Sequence, residues 1–266
     1  MSTHDFTADG TSLAVARDDV RLRDTWLLHR RELGQLFVVY VSLAIVWTGM
    51  GLLLTHQLAH SWLTRTDGAV ERWFVDQRTS SLNSVSYVMS MLADTVVKIA
   101  VTAVVALGLL VRFRRWRETL IVVVALILEA MTFITVTWIV DRPRPSVPRL
   151  DSSPVGSSFP SGHVAASVAY SAIVVVLFQH TRRRAPRIIA VVTVALLTVA
   201  VAFARMYRGM HNPTDVVMGA FLGAAAVAAT VMVLRAAERR RLALADPALG
   251  GVSNSAGDHL PPQWQP

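Results

Sequence analysis

The chain has 266 residues, 53% of them hydrophobic and 17% charged, with a mean hydropathy of +0.46 and a formal net charge of +8. Soluble domains average about 45–50% apolar and about 25% charged residues, so the balance leans toward a lipid environment. There is no cysteine, which excludes disulfides, thiolate metal sites and a cysteine nucleophile.

Residues 1–35 are polar and lack the pattern of a cleaved signal, so they read as a cytoplasmic N-terminal segment. Six apolar stretches of bilayer-spanning length follow, at roughly 36–55, 87–111, 119–140, 163–180, 187–206 and 214–235. They predict an all-α fold, a polytopic membrane protein with a six-transmembrane-helix bundle over 36–235. In the first outer loop, 56–86, Val70, Trp73 and Phe74 recur at helical spacing among Glu71, Arg72 and Asp76, with Tyr87 less regular. This predicts a short interfacial helix, either a cap over the bundle or a platform beside a lipid entrance. Residues 236–266 form a cytoplasmic tail, largely disordered where Gly, Pro and small polar residues dominate from 246 to 266.

The positive charge is nearly all arginine, 25 residues against the single Lys98. Seventeen arginines fall in the N-terminal segment, the loops after spans two and four, and the end of span six. The positive-inside rule puts those regions and both termini in the cytoplasm. The run Arg182-Arg183-Arg184 is a solvated loop flank on this reading, so no nucleic-acid partner is implied.

The opposite face gathers the chemistry. Span three exits through Asp141-Arg142-Pro143-Arg144-Pro145, span four is entered through Pro160-Ser161-Gly162-His163, and span five leaves through Arg205 toward His211 and Asp215. Arginine forks match phosphate oxygens, and the N–H groups ahead of a helix favour an anion. Asp215 follows His211 by four residues, close enough to fix its tautomer and leave one ring nitrogen free to attack. No carboxylate cluster stands ready for magnesium or zinc, so neither a metal nor another cofactor is implied.

These residues resemble the type 2 phosphatidic acid phosphatase superfamily, whose signatures are KxxxxxxRP, PSGH and SRxxxxxHxxxD. The second is complete at 160–163. The third keeps Arg205, His211 and Asp215 but has Ala204 in the serine place, and the first ends in Arg144-Pro145 with Thr137 in the lysine place. The resemblance implies that His211 attacks phosphorus, Asp215 orients it, and His163 protonates the leaving oxygen. Arg144, Arg205, Ser161 and the Gly162 N–H would hold the phosphoryl oxygens.

Thr137 removes a cation from that cradle, and two residues offer a replacement: Arg142, two positions before Arg144, and Lys98 inside span two. Lys98 stands about 20 Å from the cytoplasmic end of its span, at about 1.5 Å per residue. At that depth it is a functional candidate or the partner of Asp94 four residues earlier. Glu129, in the middle of span three, reads first as an interhelical hydrogen-bonding group and second as part of a proton path, and the hydroxyl lost at Ala204 as one partly covered by Tyr207 or Thr214.

The resulting expectation is a plasma-membrane phosphatase acting on a membrane lipid phosphate or diphosphate at the extracytoplasmic face. The resemblance to bacterial members puts undecaprenyl diphosphate first. Phosphatidic acid or phosphatidylglycerol phosphate, a lipid phosphotransferase and a non-catalytic lipid-phosphate binder are the alternatives.

Overall fold

The computed structural model describes residues 28–114, 116–152 and 156–245. Among them all the regular secondary structure is helical: α1 (Arg30–Leu52, continued by a π-helical turn, Leu53–Gln57), α2 (Trp62–Asp76), α3 (Ser80–Met91), α4 (Thr95–Phe113), α5 (Trp116–Ile139), α6 (Gly162–Ala169), α7 (Ser171–His180), α8 (Arg184–Tyr207) and α9 (Pro213–Ala245). Six spans are long and apolar enough to cross a membrane, with α6 and α7 together forming the fourth. The protein is a multi-pass, all-α membrane bundle.

Local sequence sets the boundaries. The second span begins at Thr95, eight residues later than expected, because Asp94 caps α4 by accepting from the Val96 N–H at 3.0 Å. Residues 87–91 therefore belong to α3, a separate short helix capped by Thr79. Arg114, in the left-handed region at φ 52°, ends α4, and α5 begins two residues on. Proline opens α9 at a position that needs no backbone donor. That helix runs to Ala245, past the expected boundary at 235, and the tail expected at 246–266 lies outside the described residues.

The six spans alternate in direction. One end is fastened by ion pairs Arg117–Glu238 (3.0 Å), His180–Glu118 (3.1 Å) and Arg240–Glu32 (3.3 Å). The arginine-rich turns lie at this end, and the signature segments lie at the other. Helices α5, α6 and α9 form the interior, while α4 packs along α5 and turns Val96, Ile99, Val104 and Leu107 outward. α1 joins the bundle through Tyr40–Thr135 (2.7 Å) and the Trp47 indole donating to the Met218 carbonyl (3.0 Å).

The closest helix contact positions the site. A Cβ on Gly219 would stand 2.4 Å from the Ser161 carbonyl oxygen, and one on Gly223 2.3 Å from that of Ala165. These two glycines, one turn apart, let α9 lie backbone to backbone against the start of α6.

The helix of the first outer loop differs from its expectation. It is present as α2, but the face turned to the protein carries Asp67, Glu71 and Phe74, while Trp62 and Trp73 are 70% and 56% exposed. Asp67 is stable facing the bundle because Arg142, on α5's exit segment, meets it.

Candidate active site

Three segments converge at the non-arginine-rich end. The exit from α5 carries Arg142 and Arg144, the start of α6 carries Ser161, Gly162 and His163, and the α8–α9 turn carries Arg205, Arg208, His211 and Asp215. They surround a cavity of about 460 Å³, lined by His163, His211, Arg144, Arg205, Gly162 and Lys98, with Ser90, Asp94, Asp151 and Phe133 closing its sides. That is within the usual size of a small-ligand site.

His211 is buried, and its Nδ1 lies 2.7 Å from the Ser158 carbonyl oxygen. A carbonyl only accepts, so Nδ1 carries the proton and Nε2 the lone pair. Burial and the Arg205 and Arg144 guanidinium groups hold the ring's pKa well below its ordinary value, so it is neutral at pH 7.

The orienting contact expected from Asp215 takes a different form. Its Oδ2 accepts from the Asn212 backbone N–H and amide, both at 2.8 Å, and its Oδ1 is paired with Arg142. Asp215 thus fixes the turn that presents His211, and the carbonyl of Ser158 fixes the ring. Proximity at i, i+4 made the carboxylate the natural partner in sequence, but the helix begins at Pro213 and leaves His211 outside it.

Arg142 is absent from the cavity lining. Its guanidinium is buried behind the cavity, donating to Asp215, to Thr214 Oγ1 at 2.7 Å and to Asp67 Oδ2 at 3.1 Å. Asp67 also accepts from Thr214 through N–H (3.1 Å) and hydroxyl (2.6 Å). Nearby Glu71 titrates at about 7, raised by burial and then by the Asp67 and Asp215 carboxylates. Neither Asp67 nor Glu71 carried a site signal in sequence, because their partners lie more than 70 residues away.

The two cavity arginines are tied to the backbone and to loop residues. Arg144 donates to the carbonyls of Met210 (2.6 Å) and Ser157 (3.1 Å). Arg205 donates to Ser90 Oγ at 2.8 Å, so α3 supplies the hydroxyl missing at Ala204, whereas Tyr207 bonds Asn83 and Thr214 bonds Asp67. Asp151 reaches Arg205 at 3.4 Å and is held by Arg208 at 2.5 and 2.7 Å. Ser161 Oγ is buried without a hydrogen-bond partner among the described residues. A Cβ at Gly162 would strike the Phe133 ring at 2.7 Å.

Thr137 turns its hydroxyl back onto the carbonyls of Phe133 and Ile134. Lys98 does line the cavity, and its ammonium is 3.3 Å from Glu129 on α5. The partner is therefore Glu129 and not Asp94, which is occupied as the α4 cap. Among the described residues, no three His, Asp or Glu side chains group as metal ligands would.

Residues 118–239 match the family model of the PAP2 superfamily. The fold is similar to that of a transmembrane PAP2-type phosphatidylglycerolphosphate phosphatase from Bacillus subtilis. The likeness has a TM-score of 0.63 at 20% identity, covering 74% of this chain and 96% of that one. LpxE from Aquifex aeolicus aligns over 63% of this chain and 93% of its own, with 23% identity and a TM-score of 0.46. No curated protein matches in sequence.

Proposed function

We propose that the protein is an integral-membrane lipid phosphatase that works through a phosphohistidine and needs no metal. The carrying observation is the pairing of a neutral His211, its Nε2 lone pair set by Ser158, with His163 across a cavity that holds Arg144 and Arg205. The catalytic unit is the six-span bundle, 36–235.

In this reading Nε2 of His211 attacks phosphorus and the bond to the leaving oxygen breaks. His163 gives that oxygen its proton. A water then attacks the phosphohistidine, His163 takes the water's proton, and cleavage of the P–N bond releases inorganic phosphate and the ring. Arg144, Arg205, Ser161 Oγ and the Gly162 N–H hold the phosphoryl oxygens as charge builds. Ser161 Oγ, buried without a partner among the described residues, lies outside the cavity lining, so its contact with phosphate rests on the resemblance. The lysine place of the first signature holds Thr137, and the lysine that lines the cavity is Lys98.

The arginine-rich end faces the cytoplasm of a plasma-membrane protein, and the site opens on the extracytoplasmic side. Undecaprenyl diphosphate is the substrate we put first, as a lipid whose headgroup is presented on that face. The phosphatidylglycerolphosphate phosphatase with the same fold supports a lipid phosphate as the wider class.

The test is phosphate release from lipid phosphates by purified protein in detergent with EDTA, beside His211→Ala. Release that survives EDTA and disappears in H211A is expected, together with acid-labile phosphoprotein in the wild type. Release from neither sample, or equal release from both, would overturn the reading.

A further inference from the structure

Lys98 occupies a different side of the cavity from the arginine cradle. Glu129 and Phe133 stand one turn apart on the same face of α5. Phe133 lies beneath Gly162, and Glu129, a turn farther into the span, holds the Lys98 ammonium at 3.3 Å. His211, Arg144 and Ser157 come from segments outside the spans, and Arg205, in the last turn of α8, directs its guanidinium outward to Ser90 at the end of α3 and to Asp151 of the loop. Lys98 is therefore on the membrane side of the same cavity.

That placement has a chemical meaning. A lipid reaches the cavity from the bilayer, so its leaving group lies on the membrane side of the scissile bond. A monophosphate ester leaves as an alcohol, uncharged once protonated, and offers an ammonium little. A diphosphate leaves as a lipid monophosphate, whose charged oxygens match an ammonium that still has two donors beyond its bond to Glu129.

We propose that Lys98, held by Glu129, is the binding site for the proximal phosphate of a lipid diphosphate, and that it selects diphosphates over monophosphates. The proposal rests on the phosphatase reading. His211 Nε2 attacks the terminal phosphorus, the bridging P–O bond breaks, and the bridging oxygen departs on the lipid monophosphate with a proton from His163. Water then releases inorganic phosphate from His211. Lys98 and Glu129 keep their protonation states throughout.

The experiment compares kcat/KM for farnesyl diphosphate and farnesyl monophosphate in the wild type, Lys98→Arg, and the double variant Lys98→Met/Glu129→Gln. The double change avoids a lone buried carboxylate, and a monodisperse size-exclusion profile verifies its fold. Loss of a charge-assisted bond should lower the diphosphate-to-monophosphate ratio about 10- to 100-fold in the double variant, with Lys98→Arg in between. Equal loss on both substrates would make Lys98 a general cradle cation and overturn the selectivity. An unchanged ratio would overturn it too. If the wild type releases phosphate from neither probe, the phosphatase reading itself fails, which is a distinct result.

Discussion

The Nδ1 of His211 is held 2.7 Å from the carbonyl oxygen of Ser158, while the Asp215 carboxylate secures the neighbouring Asn212 turn. A carbonyl orients the imidazole as a carboxylate would, without adding a charge beside it. The ring's preference for the neutral form then follows from burial and from Arg205 and Arg144.

The pH profile should show this. A depressed histidine pKa means that the neutral, attacking form is lost only when pH falls through the lowered value. The acid limb of kcat/KM, which reports the free enzyme, is expected clearly below the ordinary histidine value of 6.5. A limb assigned to His211 at or above 6.5 would contradict the electrostatics of the site.

Arg142 is expected to be a stability residue. Arg142→Met leaves Asp67 and Asp215 buried without their cation, a loss of the kind that costs about 3–5 kcal/mol. The thermal transition in detergent should drop by many degrees, and adding Asp67→Asn should recover part of the loss. Were Arg142 a phosphate ligand, the same change would raise KM at nearly unchanged stability.

Asp151 competes with any bound phosphoryl group for Arg205, which it approaches at 3.4 Å from its firmer hold on Arg208. Removing its charge in Asp151→Asn should tighten inhibition by inorganic phosphate by about 2- to 10-fold, the range of one modest hydrogen bond. Weaker inhibition would show that the carboxylate organises the arginines and does not oppose the ligand.

The glycine contact between α9 and α6 gives a steric test. Gly219→Ala drives a methyl into the Ser161 carbonyl, where backbone must move, whereas Gly49→Ala has nothing within 4 Å. The first should lose most activity and monodispersity, and the second should behave as wild type. Equal tolerance of both would mean that α6 can shift without harm to the site.

The spans were legible because long apolar runs have few other uses in a chain this poor in charge. The break at 92–94 was missed because α3 is apolar enough to extend the second span, although Asp94 ahead of an apolar run is a readable cap. The buried charges of α2 contradicted its apolar pattern for a reason that lies elsewhere in the chain, at Arg142. His163, His211, Arg144 and Arg205 were visible as ordered motifs, and the structure gathers them around one cavity. Their immediate supports were not. The Ser158 carbonyl has no side-chain signature, and the Lys98–Glu129 pair joins residues 31 positions apart. Gly219 and Gly223 could have been found as small residues four apart in a membrane helix.

The Lys98–Glu129 contact also bears on how the chain enters the bilayer. Threaded singly, α4 would bring in an unmatched cation in its first turn and α5 an unmatched carboxylate near its centre, where a charge costs about 2.5–3.5 kcal/mol on insertion scales. The two helices are consecutive, with α5 starting three residues after α4 ends, and their charges meet across the hairpin. Entry of the two helices together as a hairpin thus neutralises this pair before either charge faces hydrocarbon alone.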